Sequence, residues 1–245
     1  MYDRPETAAA NDRFWQAIRN RLGHGPDTLT RTGELWDHWL APDLILSQTC
    51  GYPYRAKLHG QVTLIGTPDY GLPGCPPGHY CSVFVARAND HRTTPSDFAE
   101  APFAYNEPLS QSGWAAPQNH ARSQGFIFTN TLQTGGHALS ARAVAEGRAD
   151  IAALDALTWA LIQRHDPFAT TLREIARTEP TPVLPYITAL TRDPGPLFDA
   201  ISAAIADLSP DDRDTLSLRG LVRLPPEAYL AIPNPPPPAA TSIVE

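Results

Sequence analysis

Residues 134–159 read TGGHALSARAVAEGRADIAALDALTW. A threonine and two glycines open the stretch. The spacing then predicts a helix over 136–146, a strand over 150–154 and a second helix over 156–164. A short run of small and branched apolar residues between two helical patterns marks a buried strand in a layered α/β fold. The same alternation stands upstream: a strand over 102–105, a helix from about 112 and a strand over 125–129. A further strand is predicted over 172–178. Strands alternating with helices predict parallel βαβ units.

The N-terminal part begins with an amphipathic helix over 7–22. Phe14, Trp15, Ile18 and Leu22 share its apolar stripe, and Gly23 and Gly25 follow its end. A second helix is expected over 30–40, with Trp36 and Trp39 at a spacing typical of core aromatics. Strands are predicted at Asp43–Leu46, Gln61–Ile65 and Tyr80–Arg87. The polar stretch ANDHRTTPSD (88–97) has no periodicity and reads as a linker. TEPTPVLPYITA (178–189) carries three prolines and reads as a second extended crossover. A helix follows over 195–207, and IPNPPPPAAT begins a polyproline-like tail. The expected architecture is therefore two α/β lobes with two interlobe crossovers. Lobe I comprises residues 1–88 plus 189–245, and lobe II residues 89–188. The Pro-rich tail, 233–245, is expected to hang free or lie along the surface.

The chain has 245 residues, 42% of them hydrophobic, enough for a sizeable core. Its net charge of −7 disfavours nucleic acid and acidic membranes as partners, because both attract basic surfaces. Only Lys57 is a lysine. No apolar run approaches the length of a membrane-spanning helix. MYDRPETAAANDRFW lacks a charged segment followed by an apolar core, so it does not read as a signal peptide. Cys50, Cys75 and Cys81 form no C-x-x-C pair, which removes zinc-ribbon and thioredoxin readings. A Cys50–Cys75 disulfide and reduced thiols both remain open.

Three predicted strand ends carry small polar clusters: Ser47-Gln48-Thr49-Cys50-Gly51-Tyr52, Ser110-Gln111-Ser112-Gly113 and Thr134-Gly135-Gly136-His137. A helix start has backbone N–H groups without intrahelical partners and about half a positive charge. Serine hydroxyls add donors there, and Gly113 allows close backbone approach, so an oxyanion can be held without lysine or arginine. A plain serine cap is the simpler reading of each cluster alone. Recurrence at successive strand ends favours an anion site. Asp155 opens the helix after DIAAL; it is either an N-cap or an acceptor for a protonated oxyanion. Tyr52, Tyr54, Tyr70, Tyr80 and Tyr105 crowd the first half, mostly as amphipathic packing. G-x-S-x-G is absent because residue 110 is Ser, and H-E-x-x-H and the P-loop are absent too. No catalytic set, metal site or cofactor is therefore expected.

Together the clusters resemble the phosphate/phosphite/phosphonate-binding proteins of ABC importers, which have the type II periplasmic-binding-protein fold. The resemblance rests on MYDRPE (1–6), LSQTCGYPY (46–54), GTPDY (66–70), GCPPGHYCS (74–82), AYNEPLSQSG (104–113), residues 134–159 and TPVLPYI (181–187). It implies a two-lobed receptor that closes on a small phosphorus oxyanion: phosphonate, phosphite or phosphate. Ser110, Gln111, Ser112 and Gly113 would hold the anion at the helix start, and His137 would donate from the next helix. Tyr80, Gln48 and Thr49 would face it from the first lobe. Tyr2, at the end of what looks like the first strand, would lie near the cleft floor, and Asp155 would complete the set. The implied partner is an ABC permease, the implied state a monomer and the implied compartment the periplasm. A cytoplasmic phosphorus-ester sensor is the alternative, and a biosynthetic enzyme on the same fold is a third reading. Gln111 stands where phosphonate binders often carry Thr or Ser.

Overall fold

A computed structural model describes residues 2–238. The chain opens with α1 (Pro5–Leu22). Pro5 begins it where a missing N–H costs nothing, and Gly23 ends it with φ 75° and its N–H on the Arg19 carbonyl. Next come α2 (Leu35–Trp39), β1 (Ser47–Gln48) and α3 (Gly51–Pro53), which runs into a wide helical turn, Tyr54–Leu58. β2 (Val62–Asp69), β3 (His79–Tyr80), β4 (Ser82–Arg87) and β5 (Phe103–Tyr105) follow. A second wide turn, Gln111–Ala115, leads into α4 (Ala116–Ser123). Then come β6 (Thr131–Gln133), α5 (His137–Ala145), β7 (Ile151–Asp155), α6 (Ala156–His165), β8 (Leu172–Arg177) and β9 (Thr181–Pro182). The chain continues through β10 (Tyr186–Ala189), α7 (Gly195–Ala206), α8 (Pro210–Leu216), β11 (Gly220–Val222) and α9 (Pro226–Leu230).

These elements form two compact units. One combines residues 2–79 with 181–232. Its sheet runs β1-β10-β2-β11, and every neighbouring pair is antiparallel. Buried Trp39, Tyr54, Leu58, Val62, Ile187 and Tyr229 form a core cluster, with Trp36 packed against it. The two tryptophans meet edge to face at 5.1 Å, the core role their spacing predicts. Tyr229 donates to the Val183 carbonyl at 3.0 Å and shares a 2.6 Å hydrogen bond with Thr67. On the outside, Arg13 clamps Asp212 with two hydrogen bonds, and this pairing holds the carboxyl below its usual range.

The other unit combines residues 80–180 with residues 233–238. Its sheet runs β6-β5-β7-β4-β8. β5 pairs parallel with β6 and β7, whereas β4 runs antiparallel to β7 and β8. The expected boundaries at 88/89 and 188/189 thus move to 79/80 and 180/181, because Ser82–Arg87 is locked between two strands of this sheet. The polar stretch 88–97 is not a crossover. Asp90 pairs with Arg92 at 2.6 Å, and Arg92 and Arg87 both reach Asp150, at 3.0 and 2.5 Å. Arg92 holds the Asp90 carboxyl well below the usual carboxylate range. The start of the tail does not hang free: residues 233–238 pack on this unit, and residues 239–245 lie outside the described ones.

Two predicted strands are displaced. Residues 43–46 are irregular, and pairing begins at Ser47, although the Leu44 carbonyl still accepts from Ala189 N–H at 3.1 Å. Residues 125–129 form no strand, because the Gln118 side chain takes both the N–H (3.2 Å) and the carbonyl (2.8 Å) of Phe128. Phe128 nevertheless stacks on Phe103 at 4.4 Å, so its apolar pattern reports burial rather than pairing. Among the described residues no helix is long and apolar enough to cross a membrane. Cys50 and Cys75 are half-buried thiols, and among the described residues no disulfide links them.

Candidate anion site

β6, β5 and β7 lie side by side and point the same way, so their carboxyl ends share one edge of the sheet. A helical segment starts beyond each: Gln111 after β5, His137 after β6 and Ala156 after β7. This topology brings Ser110, Gln111, Ser112, Gly113, His137 and Asp155 to one edge, the usual place for ligands in open α/β sheets.

The segment after β5 is the most developed. Ser110 is its cap, and its Oγ accepts from Gly113 N–H at 2.9 Å. The turn is wider than an ordinary α-turn, with the Ala115 N–H reaching back to the Ser110 carbonyl at 2.9 Å. Such turns recur at functional sites. Ser110, Gln111 and Ser112 are all buried. Gly113 is required here, since a Cβ would fall 1.9 Å from Asn106 Oδ1. That oxygen is buried and has no hydrogen-bond partner among the described residues.

His137 opens α5. Its Nε2 lies 2.9 Å from Ser112 Oγ, so the clusters after β5 and β6 are joined directly. Burial pushes the imidazole down to about 3, with the Ala153 backbone working against the shift. The ring is therefore neutral at ordinary pH, and its Nδ1 makes no hydrogen bond of acceptable geometry among the described residues. The loop before it is fixed from both sides. Thr134 N–H donates to the Tyr105 carbonyl and Gly135 N–H to the Asn106 carbonyl, both at 2.9 Å, while Thr134 Oγ1 meets Ser140 Oγ at 2.7 Å.

Asp155 is fully buried and caps α6, accepting from Thr158 N–H at 2.9 Å. Its cap role is thus observed. Ser82 sits opposite it across the β4–β7 pair, and the Oγ of Ser82 and Oγ1 of Thr158 are buried without partners among the described residues. Asn106, Ser82 and Thr158 escaped the sequence reading. A strand-end asparagine and a threonine three residues past a cap aspartate were the only available signals.

The remaining predicted residues divide differently. Tyr80 is buried and falls with residues 80–180, not with the first lobe as expected, because the chain enters this unit at that residue. Gln48 and Thr49 lie in the other unit. The Gln48 amide donates to the Leu184 carbonyl at 3.0 Å and to Tyr70 OH at 3.2 Å. Thr49 is fully buried, with its N–H on the Pro185 carbonyl at 3.1 Å. Tyr2 packs edge-on against Tyr70 at 5.3 Å. It stands in extended chain before α1 and not at a strand end; among the described residues no strand precedes that helix. No cluster of three or more His, Cys, Asp or Glu suited to a metal occurs among the described residues.

Two α/β units, one with buried neutral donors gathered at a sheet edge, have the architecture of the periplasmic-binding-protein fold. A family profile described as "ABC transporter, phosphonate, periplasmic substrate-binding protein" matches residues 43–225, and the chain belongs to that family. The family comprises transport substrate-binding proteins, not enzymes, whose members bind small phosphonates and work with a permease. Among solved structures, the chain is similar to PhnD1 from Prochlorococcus marinus in complex with methylphosphonate. That match has a TM-score of 0.72 at 15% identity and covers 93% of this chain and 90% of the other. A binding protein component of a Pseudomonas aeruginosa ABC phosphonate transporter matches with TM-score 0.67 at 15% identity, over 91% of this chain and 78% of that one. A Xanthomonas citri protein bound to chloride ion gives TM-score 0.65 at 15% identity, over 92% and 90%. No curated protein matches the sequence.

Proposed function

We propose that the chain binds a small phosphonate, of the size of methylphosphonate, for ABC import. The oxyanion is held by Ser110, Gln111 and Ser112, with Gly113 allowing close approach and His137 behind Ser112. The observation that carries this reading is the 2.9 Å Ser112–His137 hydrogen bond at the shared edge of three parallel strands. The neutral imidazole bonds Ser112 Oγ through Nε2; in the tautomer that carries its proton there it donates, which leaves the serine O–H to donate to the ligand. No residue of the set is cationic, so charge is balanced by hydroxyl and backbone dipoles of the kind found at helix starts. Tyr80, Tyr2, Gln48, Thr49 and Asp155 complete the proposed ligand set. In its ionised form Asp155 only accepts, and it then favours a ligand that keeps one P–OH proton and disfavours fully ionised oxyanions.

Phosphite and phosphate are weaker ligands on this proposal, since neither carries the carbon substituent. Closure of the two units on the ligand, a monomeric state and periplasmic residence belong to the same proposal. Small-angle scattering with and without methylphosphonate, light scattering and cell fractionation test these in turn. The central test is calorimetry with methylphosphonate, phosphite and phosphate on the unmodified protein and on Ser112→Ala. Removing a hydroxyl that donates to a charged oxygen is expected to weaken binding by about 1–3 kcal/mol. Unchanged affinity in Ser112→Ala would reject the site.

A further inference from the structure

Residues 233–238 are a proline-rich strap laid against the helix that carries the anion site. Pro235 is buried. Trp114 Nε1 donates to the Pro236 carbonyl at 3.0 Å, and Asn119 Nδ2 donates to the Pro233 carbonyl at 2.9 Å. The chemistry is matched. A proline offers a carbonyl acceptor and no N–H, whereas an indole nitrogen is a donor only. A proline-rich run is already extended and stiff, so ordering it costs little entropy. Trp114 is only 3% exposed, and its ring lies 4.9 Å from that of Tyr105 at the end of β5. The Pro236 carbonyl supplies the partner that this buried N–H requires.

Trp114 also lies inside the wide turn. Its own N–H and that of Ala115 share the Ser110 carbonyl, at 3.2 and 2.9 Å. Ser112 is two residues away in the same turn. We infer that the C-terminal strap is a positioning element of the binding site: through the Pro236–Trp114 hydrogen bond it holds the wide turn that aims Ser112. Trp114 is a positioning residue and touches no ligand. This inference rests on the anion-binding reading above.

The test is a double-mutant cycle between Trp114→Phe, which keeps a ring and removes the donor, and a chain ending at Ile232. Calorimetry with methylphosphonate and a thermal melt of the ligand-free protein are run on each form. Trp114→Phe is expected to weaken binding roughly three- to tenfold, the worth of one hydrogen bond. The shortened chain should lose at least as much, and Trp114→Phe should add nothing to it. Tryptophan emission should shift to the red on shortening, and less so where residue 114 is Phe. A lowered Tm with unchanged Kd in both forms would overturn the inference, as would an equal cost of Trp114→Phe in the full and shortened chains. If the shortened chain does not fold, the Kd of Trp114→Phe decides alone. Failure of the unmodified protein to bind methylphosphonate overturns the anion reading and this inference with it; failure of the strap alone leaves that binding intact.

Discussion

His137 offers the sharpest test of how the site is built. Its imidazole is fully enclosed and pushed down to about 3 from an ordinary value of 6.5, with burial as the main cause. In the unfolded chain the same group titrates near 6.5. Between these values the unfolded state binds a proton that the folded state refuses. Stability therefore rises with pH across this window and falls as pH drops below about 6.5. Each unit of pH well inside the window is worth about 1.4 kcal/mol, so going from pH 7.5 to pH 5 should remove about 2 kcal/mol through this residue. Half-buried His120 is lowered in the same direction, so the raw pH dependence belongs to more than one group. The informative quantity is the difference between the unmodified protein and His137→Gln, whose amide sits near the Nε2 position and does not titrate. Urea unfolding of the ligand-free proteins at the two pH values supplies it. His137→Gln should lose about 2 kcal/mol less than the unmodified protein over that interval. Equal losses would mean that the ring is solvated or already charged, and the neutral-donor account of the site would fail with it.

Three further substitutions probe the supports around the core and the site. Gly113→Ala places a Cβ 1.9 Å from Asn106 Oδ1 and 3.2 Å from Ser110 Oγ, and should cost about 1–3 kcal/mol in a thermal or denaturant melt. Asn106→Ala in the same chain should recover most of that loss, and failure to do so would place the clash elsewhere. Tyr229→Phe removes the donor to the Val183 carbonyl at 3.0 Å and the partner of Thr67 at 2.6 Å in the other unit. It should lower stability by about 1–3 kcal/mol without altering methylphosphonate affinity, and a change in Kd would contradict its purely structural role.

Elements whose pattern reflects their own chain were legible in the sequence. The stripe of Phe14, Trp15 and Ile18 is the buried face of α1, and IAALD (151–155) is the fully buried β7 with its capping aspartate. Elements whose state depends on a distant partner were not. Ser82–Arg87 reads as a strand, but nothing in it says that it inserts antiparallel between β7 and β8, and this shifted the lobe boundary. Phe126 and Phe128 alternate like a strand, yet Gln118 satisfies the backbone that a neighbouring strand would otherwise pair. The two-residue strands at Ser47 and Thr181 are too short to leave a periodic signal.

The candidate site divides along the same line. Ser110, Ser112, His137 and Asp155 were visible because parallel strands followed by helices must present those helix starts at one edge. That inference needs only strand order, and the register of β6, β5 and β7 supplies it. Gly113 was visible as a small residue, but its reason lay in Asn106, seven positions earlier and brought close only by the loop between them. Tyr2 and Tyr80 were misplaced because their positions were carried over from the resemblance and not argued from pairing. Parallel topology fixes where donors gather, and side chains from elsewhere in the fold fix how rigidly they are held. The affinity of this site should therefore respond to residues such as Asn106 and Trp114 that no motif marks, and their substitution separates a site held by its supports from one held by the helix starts alone.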